Sequence, residues 1–295
     1  MNLYKALLAA LLYHYDTLIA VFEQKVSPII ARPETEGRAM KTFKITYIIL
    51  LLVVSNSLIS VAQNKHPRFR AIAIAEVGGG HALFDAAAKI WLDKLAIDSN
   101  FNIDYITNTQ PITKDFLKQY QLFIQLDYPP YPWGPEAQAA FTEYLEQGKG
   151  GWIGFHHPTL LGVFDGYPMW QWYCQFMGGI EFKDTIHGGT TALLTIEDKN
   201  HPIMAGLPAS FTTKDEWYTY NKSPRPNVHV LASIDESTYM PDKPIKMGDH
   251  PVIWTNEHIK AKNIYIAMGH FPELFQDSTF TTLVKNTIFW AVRPN

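Results

Sequence analysis

Three short apolar runs of the chain end in histidine. His81 follows RAIAIAE and a triple glycine, His156 and His157 follow GWIGF, and His270 follows NIYIAMG. Imidazole titrates near neutral pH and keeps a ring nitrogen for a proton or a metal, so these places suit proton transfer or metal ligation. Adjacent histidines on a strand point to opposite faces; only a turn lets both reach one pocket. His156 is therefore the first choice for a catalytic group and His157 the second. A fourth run, QLFIQL, ends at Asp127-Tyr128, and Asp215-Glu216-Trp217-Tyr218 sets carboxylates beside two aromatic rings. Glu216 can orient an imidazole or act as a general acid, and Trp217 can stack on a sugar face. His187, in IHGG, is placed to complete a site for zinc or a similar divalent ion with His156 and His157.

A single loop histidine is more often structural than catalytic; four polar strand ends on one sheet edge are the stronger signal. The turn after GWIGF holds no Ser or Cys, the nucleophiles that hydrolases place at a strand-to-helix turn. The one cysteine, Cys174 in WQWYCQ, reads as packing and excludes an intrachain disulfide or a multi-cysteine metal cluster. Gly78-Gly79-Gly80 lacks the spacing of a dinucleotide fingerprint. His201-Pro202 reads as a structural turn, and His14, His66, His229, His250 and His258 as bystanders.

The elements that position these residues are legible as alternating patterns. Residues 70–76, 101–107, 121–126 and 151–155 read as strands, with helical patterns after 81, 113 and 135 between them. Thr113 suits a helix N-cap and Pro135 a first helical turn. Strands alternating with helices predict a mostly parallel sheet covered on both faces, with ligands outside the carboxyl ends of its strands. The second half reads differently: strands at 190–196, 228–234, 251–255 and 263–267 with long loops, then a helix over 279–292. The expectation is one α/β domain with a β-rich insertion in its second half.

The chain has 295 residues, 47% of them hydrophobic and 18% charged, with a net charge of −3. Such a chain buries a sizeable core and carries no strongly basic face for nucleic acid. From Met40 it reads MKTFK, an apolar run over 45–54 and a polar stretch ending Ser60-Val61-Ala62. Basic, apolar and small-residue segments in that order predict a signal peptide over 40–62, cleaved near Ala62-Gln63, and a secreted or periplasmic product. The run is too short for a comfortable membrane span. Residues 1–39 read as an extension or as sequence ahead of the true start, leaving a domain over 69–293.

Gly78-Gly79-Gly80-His81, GGWIGFHHP, HPIMAGLP followed by DEWY, and IYIAMGH ahead of NTIFWAV resemble, in order and spacing, the ThuA-like (trehalose-utilisation) family. The resemblance implies a fold similar to class I glutamine amidotransferases, a flavodoxin-like three-layer α/β/α sandwich. It also implies a role in using trehalose or related disaccharides, through sugars oxidised at C3. Amidotransferases carry a cysteine in the turn where this chain has His156, which excludes glutamine hydrolysis through a thioester. The family's motif positions fall on His81, His156, His157, Glu216 and His270. The expected enzyme cleaves a disaccharide or 3-keto-glycoside: His156 is the base, Glu216 and His270 complete the catalytic set, and His81, His157, Asp127, Tyr128 and Trp217 contact the sugar. A divalent metal such as zinc is a possible helper, and the oligomeric state is open. A non-catalytic sugar-binding protein with Tyr128, Tyr131, Trp133, Trp152 and Trp217 as its rings is the alternative. Metal-dependent hydrolysis of an ester or amide is a third reading.

Overall fold

The computed structural model describes residues 66–293. The signal peptide, its cleavage point and the 1–39 extension lie outside the described residues. The first four strands are β1 (Arg70–Ala75), the partly exposed edge strand β2 (Asn102–Ile106), β3 (Leu122–Leu126) and β4 (Gly151–Phe155), with β1, β3 and β4 built from buried, mostly apolar runs. Helices α1 (Ala82–Ser99), α2 (Lys114–Leu117) and α3 (Pro135–Glu146) connect them. Thr113 caps α2 by accepting from the Phe116 N–H at 3.1 Å, and Pro135 opens α3, as their residue types dictate.

Alternating side chains of these strands face two helical layers. On one face Phe123 packs against Phe141 of α3, and Trp152 against Phe176 of the short α4 (Gln171–Phe176). On the other, Phe155 meets Phe84 of α1 and Phe280 of α5 (Ser278–Ala291). Gln125 is the one polar side chain of β3; Trp152 Nε1 and Tyr173 Oη donate to its Oε1 at 3.1 and 2.9 Å. That accounts for its burial, since a buried amide without partners is costly.

The second half corrects the expectation of a mostly parallel sheet. Strands β5 (Phe182–Ile196), β6 (Ser210–Tyr220), β7 (His229–Met240), β8 (Pro251–Thr255) and β9 (Asn263–Ile266) continue the same sheet. The order is β2-β1-β3-β4-β9-β8-β7-β5-β6. Pairing is parallel from β2 to β9 and antiparallel from β9 to β6. Parallel neighbours need helix-sized crossovers, whereas the strands of the second half are joined by loops and 3₁₀ turns that only antiparallel pairing can use. The β-rich part is thus an extension of the sheet, not a separate insertion. Strand β6, read from sequence as a loop, has Thr213 and Asp215 at buried positions where an aliphatic pattern would have revealed it.

A carboxylate ties the second half together. Glu236 on β7 accepts from the Met247 and Gly248 N–H groups at 2.6 and 2.7 Å. His250 bridges it to the Tyr218 carbonyl of β6, at 2.9 and 3.0 Å. Burial pushes the Glu236 carboxyl up, but the bonds from His250, Met247 and Gly248 outweigh burial and bring it down to about 2. A folded-state pKa below the unfolded value gives stability that is complete above the ordinary glutamate range and lost as pH falls through about 2. Glu236→Gln is expected to cost about 3 kcal/mol at pH 7. In urea titrations the difference between parent and variant should shrink towards pH 2; a constant gap would contradict this assignment.

Candidate active site

Every strand of the parallel half that ends in a polar residue delivers it to one rim. His156 follows β4 with φ 57° and ψ −85°, a conformation that costs a non-glycine residue about 1–3 kcal/mol. The turn is held by its own carbonyl, which accepts from Thr159 Oγ1 at 3.1 Å and Tyr265 Oη at 3.0 Å. This sharp strand-to-turn bend presents an imidazole where related architectures present a nucleophile. Gly269 leaves room for it: a Cβ there would stand 2.7 Å from the Cβ of His156 and 3.2 Å from Asp127 Oδ1.

The antiparallel ribbon bends back so that β6 meets this rim. Asp215, fully buried, accepts from the N–H groups of Glu216 at 2.7 Å, Gly269 at 3.0 Å and His270 at 3.1 Å. It thereby clamps β6 to the turn after β9 and sets Glu216 beside His270. Burial pushes the Asp215 carboxyl up, to about 6, against the opposing pull of His156 and the three N–H groups.

Four side chains converge. Glu216 Oε2 lies 3.6 Å from His156 Nε2 and 3.4 Å from His270 Nδ1, and His270 Nδ1 lies 2.8 Å from His81 Nε2. His156 Nδ1 donates to the Ala267 carbonyl at 3.1 Å, which turns Nε2 inward. His156 is 1% exposed, while the side chains of Glu216 and His270 are 13% and 23% exposed and form the open side. Burial and the neighbouring imidazoles hold His81 down at about 3. Contact with Glu216 raises His270, and the two imidazoles beside Glu216 bring that carboxyl below the usual range despite burial.

A second group adjoins the first. His157 Nδ1 donates to the Asp127 carbonyl at 2.6 Å and stands 3.8 Å from Glu76 Oε2 at the end of β1. Burial raises the Glu76 carboxyl. Burial, with repulsion from Asp85, Asp215 and Glu76, raises Asp127, and burial with repulsion from Glu76 raises Asp85 to about 8. Neither of these two carboxyls has a hydrogen-bond partner among the described residues.

The structure therefore brings together His81, His156, His157, Glu216 and His270. Asp127 lies fully buried behind them and Trp217 packs in the core, donating to the Thr190 carbonyl at 2.7 Å, so neither presents a surface to sugar. Trp133 and Trp152 are core residues as well, and Tyr128 is nearly so. Tyr131 instead joins Phe164 and Tyr167 at the surface, and Phe164 continues through Phe182 and Tyr218 to His156. Of the three expected metal ligands, His156 belongs to the convergent set. His157 faces Glu76, and His187 is 80% exposed against the other oxygen of Glu216. Sequence reasoning passed over two residues of the site. Glu76 is the lone carboxylate ending β1 before the glycines, and Asp215 was read only as a neighbour of Glu216.

The family model described as trehalose utilisation matches residues 71–291. The chain belongs to the ThuA family. A ThuA-like protein from Bacteroides uniformis is 30% identical over 77% of this chain and 92% of that one, with a TM-score of 0.67. One from Parabacteroides merdae is 19% identical over 77% and 90%, with a TM-score of 0.59. The glutaminase domain of the Trypanosoma brucei CTPS is 8% identical over 75% and 94%, with a TM-score of 0.47. None of the curated proteins compared with the chain matches it. Within this ThuA chain, no helix among the described residues is long and apolar enough to cross a membrane.

Proposed function

We propose that this ThuA-family chain is an exported carbohydrate-processing enzyme that cleaves a disaccharide or glycoside oxidised at C3. The observation that carries the reading is the imidazole–carboxylate cluster at the sheet edge, with an imidazole at the strained turn and an open side bordered by Glu76 and His270. A C3 keto group acidifies the C2 proton. Loss of that proton and departure of the glycosidic oxygen from C1 form a C1=C2 bond, and the alcohol leaves. Negative charge on the keto oxygen is met by His270, whose charged form is favoured by contact with Glu216. The sequence pointed to His156 as base; its burial suits it to a supporting place in the cluster. Glu76, 29% exposed and raised by burial, suits the base role and can return its proton to the departing oxygen.

The surface ring cluster of Tyr131, Phe164 and Tyr167 supports the rival reading, a sugar-binding protein without chemistry. The test is incubation of the purified chain with 3-keto-disaccharides and their unoxidised parents, followed by mass spectrometry. Release of a monosaccharide from the keto substrate alone is expected. Calorimetric binding without product after long incubation favours the rival, and neither binding nor product ends both sugar readings.

A further inference from the structure

The geometry points to a divalent transition-metal site formed by His81 Nε2, His156 Nε2, His270 Nδ1 and Glu216. Their ligand atoms all lie within 4.8 Å of one another. The site goes beyond the sugar reading and is tested without sugar.

Three observations carry it. First, the spacing fits a coordination shell better than a hydrogen-bond network. Donors each ~2.0–2.1 Å from a tetrahedral ion stand ~3.3 Å apart. Glu216 Oε2 to His270 Nδ1 and to His156 Nε2, at 3.4 and 3.6 Å, are close to such edges. Both exceed the ~2.9–3.0 Å usual for an N–H···O bond. The 2.8 Å between His81 and His270 would open by about half an ångström, within reach of two loop side chains.

Second, His156 Nε2 is buried without a hydrogen-bond partner, and its tautomer is set by the Ala267 carbonyl. A buried polar atom without a partner is costly, and the other three ligand atoms lie around the space it faces. Third, the ligands already have outer partners that fix their orientation. Ala267 holds His156, Asp215 holds the backbones of Glu216 and His270, and His187 Nδ1 lies 3.3 Å from Glu216 Oε1. Metal sites orient their ligands in this way. Three imidazoles and one carboxylate are donors for zinc, cobalt and similar ions, not for calcium or magnesium. His270 and Glu216 leave one side open, so a water or substrate oxygen can take a further position.

Cobalt(II) titrated into chelator-treated protein reads the site directly. The expected result is one equivalent bound with visible d–d absorption of a four- or five-coordinate ion, displaced by zinc. His81→Ala and His270→Ala, both in loops outside the strained turn, should keep the parental circular dichroism. Each should bind cobalt at least ~100-fold more weakly, more than loss of an outer partner costs. His258→Ala, remote from the cluster, should bind as the parent does. Absence of the bands in the parent, or unchanged affinity in both folded cluster variants, would overturn the assignment.

Discussion

Asp215→Ala is expected to lose about 3–5 kcal/mol of folding stability, read as a lowered urea midpoint with unchanged slope. The carboxylate accepts from three backbone N–H groups on two parts of the chain that are far apart in sequence. Truncation leaves the Gly269 and His270 donors at the closed side of the rim with no acceptor. Each buried orphan costs ~1–3 kcal/mol. Relief of the buried charge offsets part of this, because burial already pushes the group up to about 6. Asp215→Asn keeps one acceptor oxygen but turns an amide N–H₂ towards backbone donors, so it should recover only part of the loss. The variant has a second signature. With β6 released from the turn after β9, Glu216 and His270 lose their common anchor, so cobalt affinity should fall even under conditions where the variant is fully folded. An alanine variant as stable as the parent would show that the clamp is dispensable.

This clamp also marks where sequence reasoning reached its limit. The parallel half was legible because β1, β3 and β4 are short apolar runs ended by polar residues, and β4 falls on its expected bounds; in the antiparallel half β8 does the same. His81, His156 and His270 follow from the rule that ligands gather at carboxyl ends of parallel strands. Glu216 reaches the same place by another route, across antiparallel strands that bend back, and no local pattern encodes that bend. Strand β6 was illegible because Asp215 sits at an inward position, and an inward carboxylate makes sense only once the Gly269 and His270 donors are next to it. The aromatic residues failed for a related reason. Trp217, Trp152 and Tyr131 have the same composition signal, but the two tryptophans lie deep in the core, whereas Tyr131 joins a surface cluster of rings.

Glu76→Gln is expected to lower kcat on a 3-keto-glycoside by ~10²–10⁴-fold, the usual contribution of a positioned general base. That corresponds to ~3–5 kcal/mol of barrier. The amide keeps the size and shape of the side chain, and no hydrogen bond to His157 is lost because the two stand 3.8 Å apart, so KM should change little. Stability should hold too, since burial already disfavours the charge at this position. Glu76→Asp withdraws the carboxylate by one methylene and should lie between parent and amide. Exchange at C2 separates this role from a structural one. In deuterated water the parent should wash deuterium into C2 of a 3-keto sugar that has no leaving group at C1, and the amide variant should not. If the amide variant exchanges at the parental rate, proton abstraction belongs to another group. His157 is the next to examine, because its Nδ1 is occupied by the Asp127 carbonyl and only Nε2 is free to accept. Cleavage lost with exchange retained would instead assign Glu76 to the departing oxygen alone, with the base on the imidazole side of the rim.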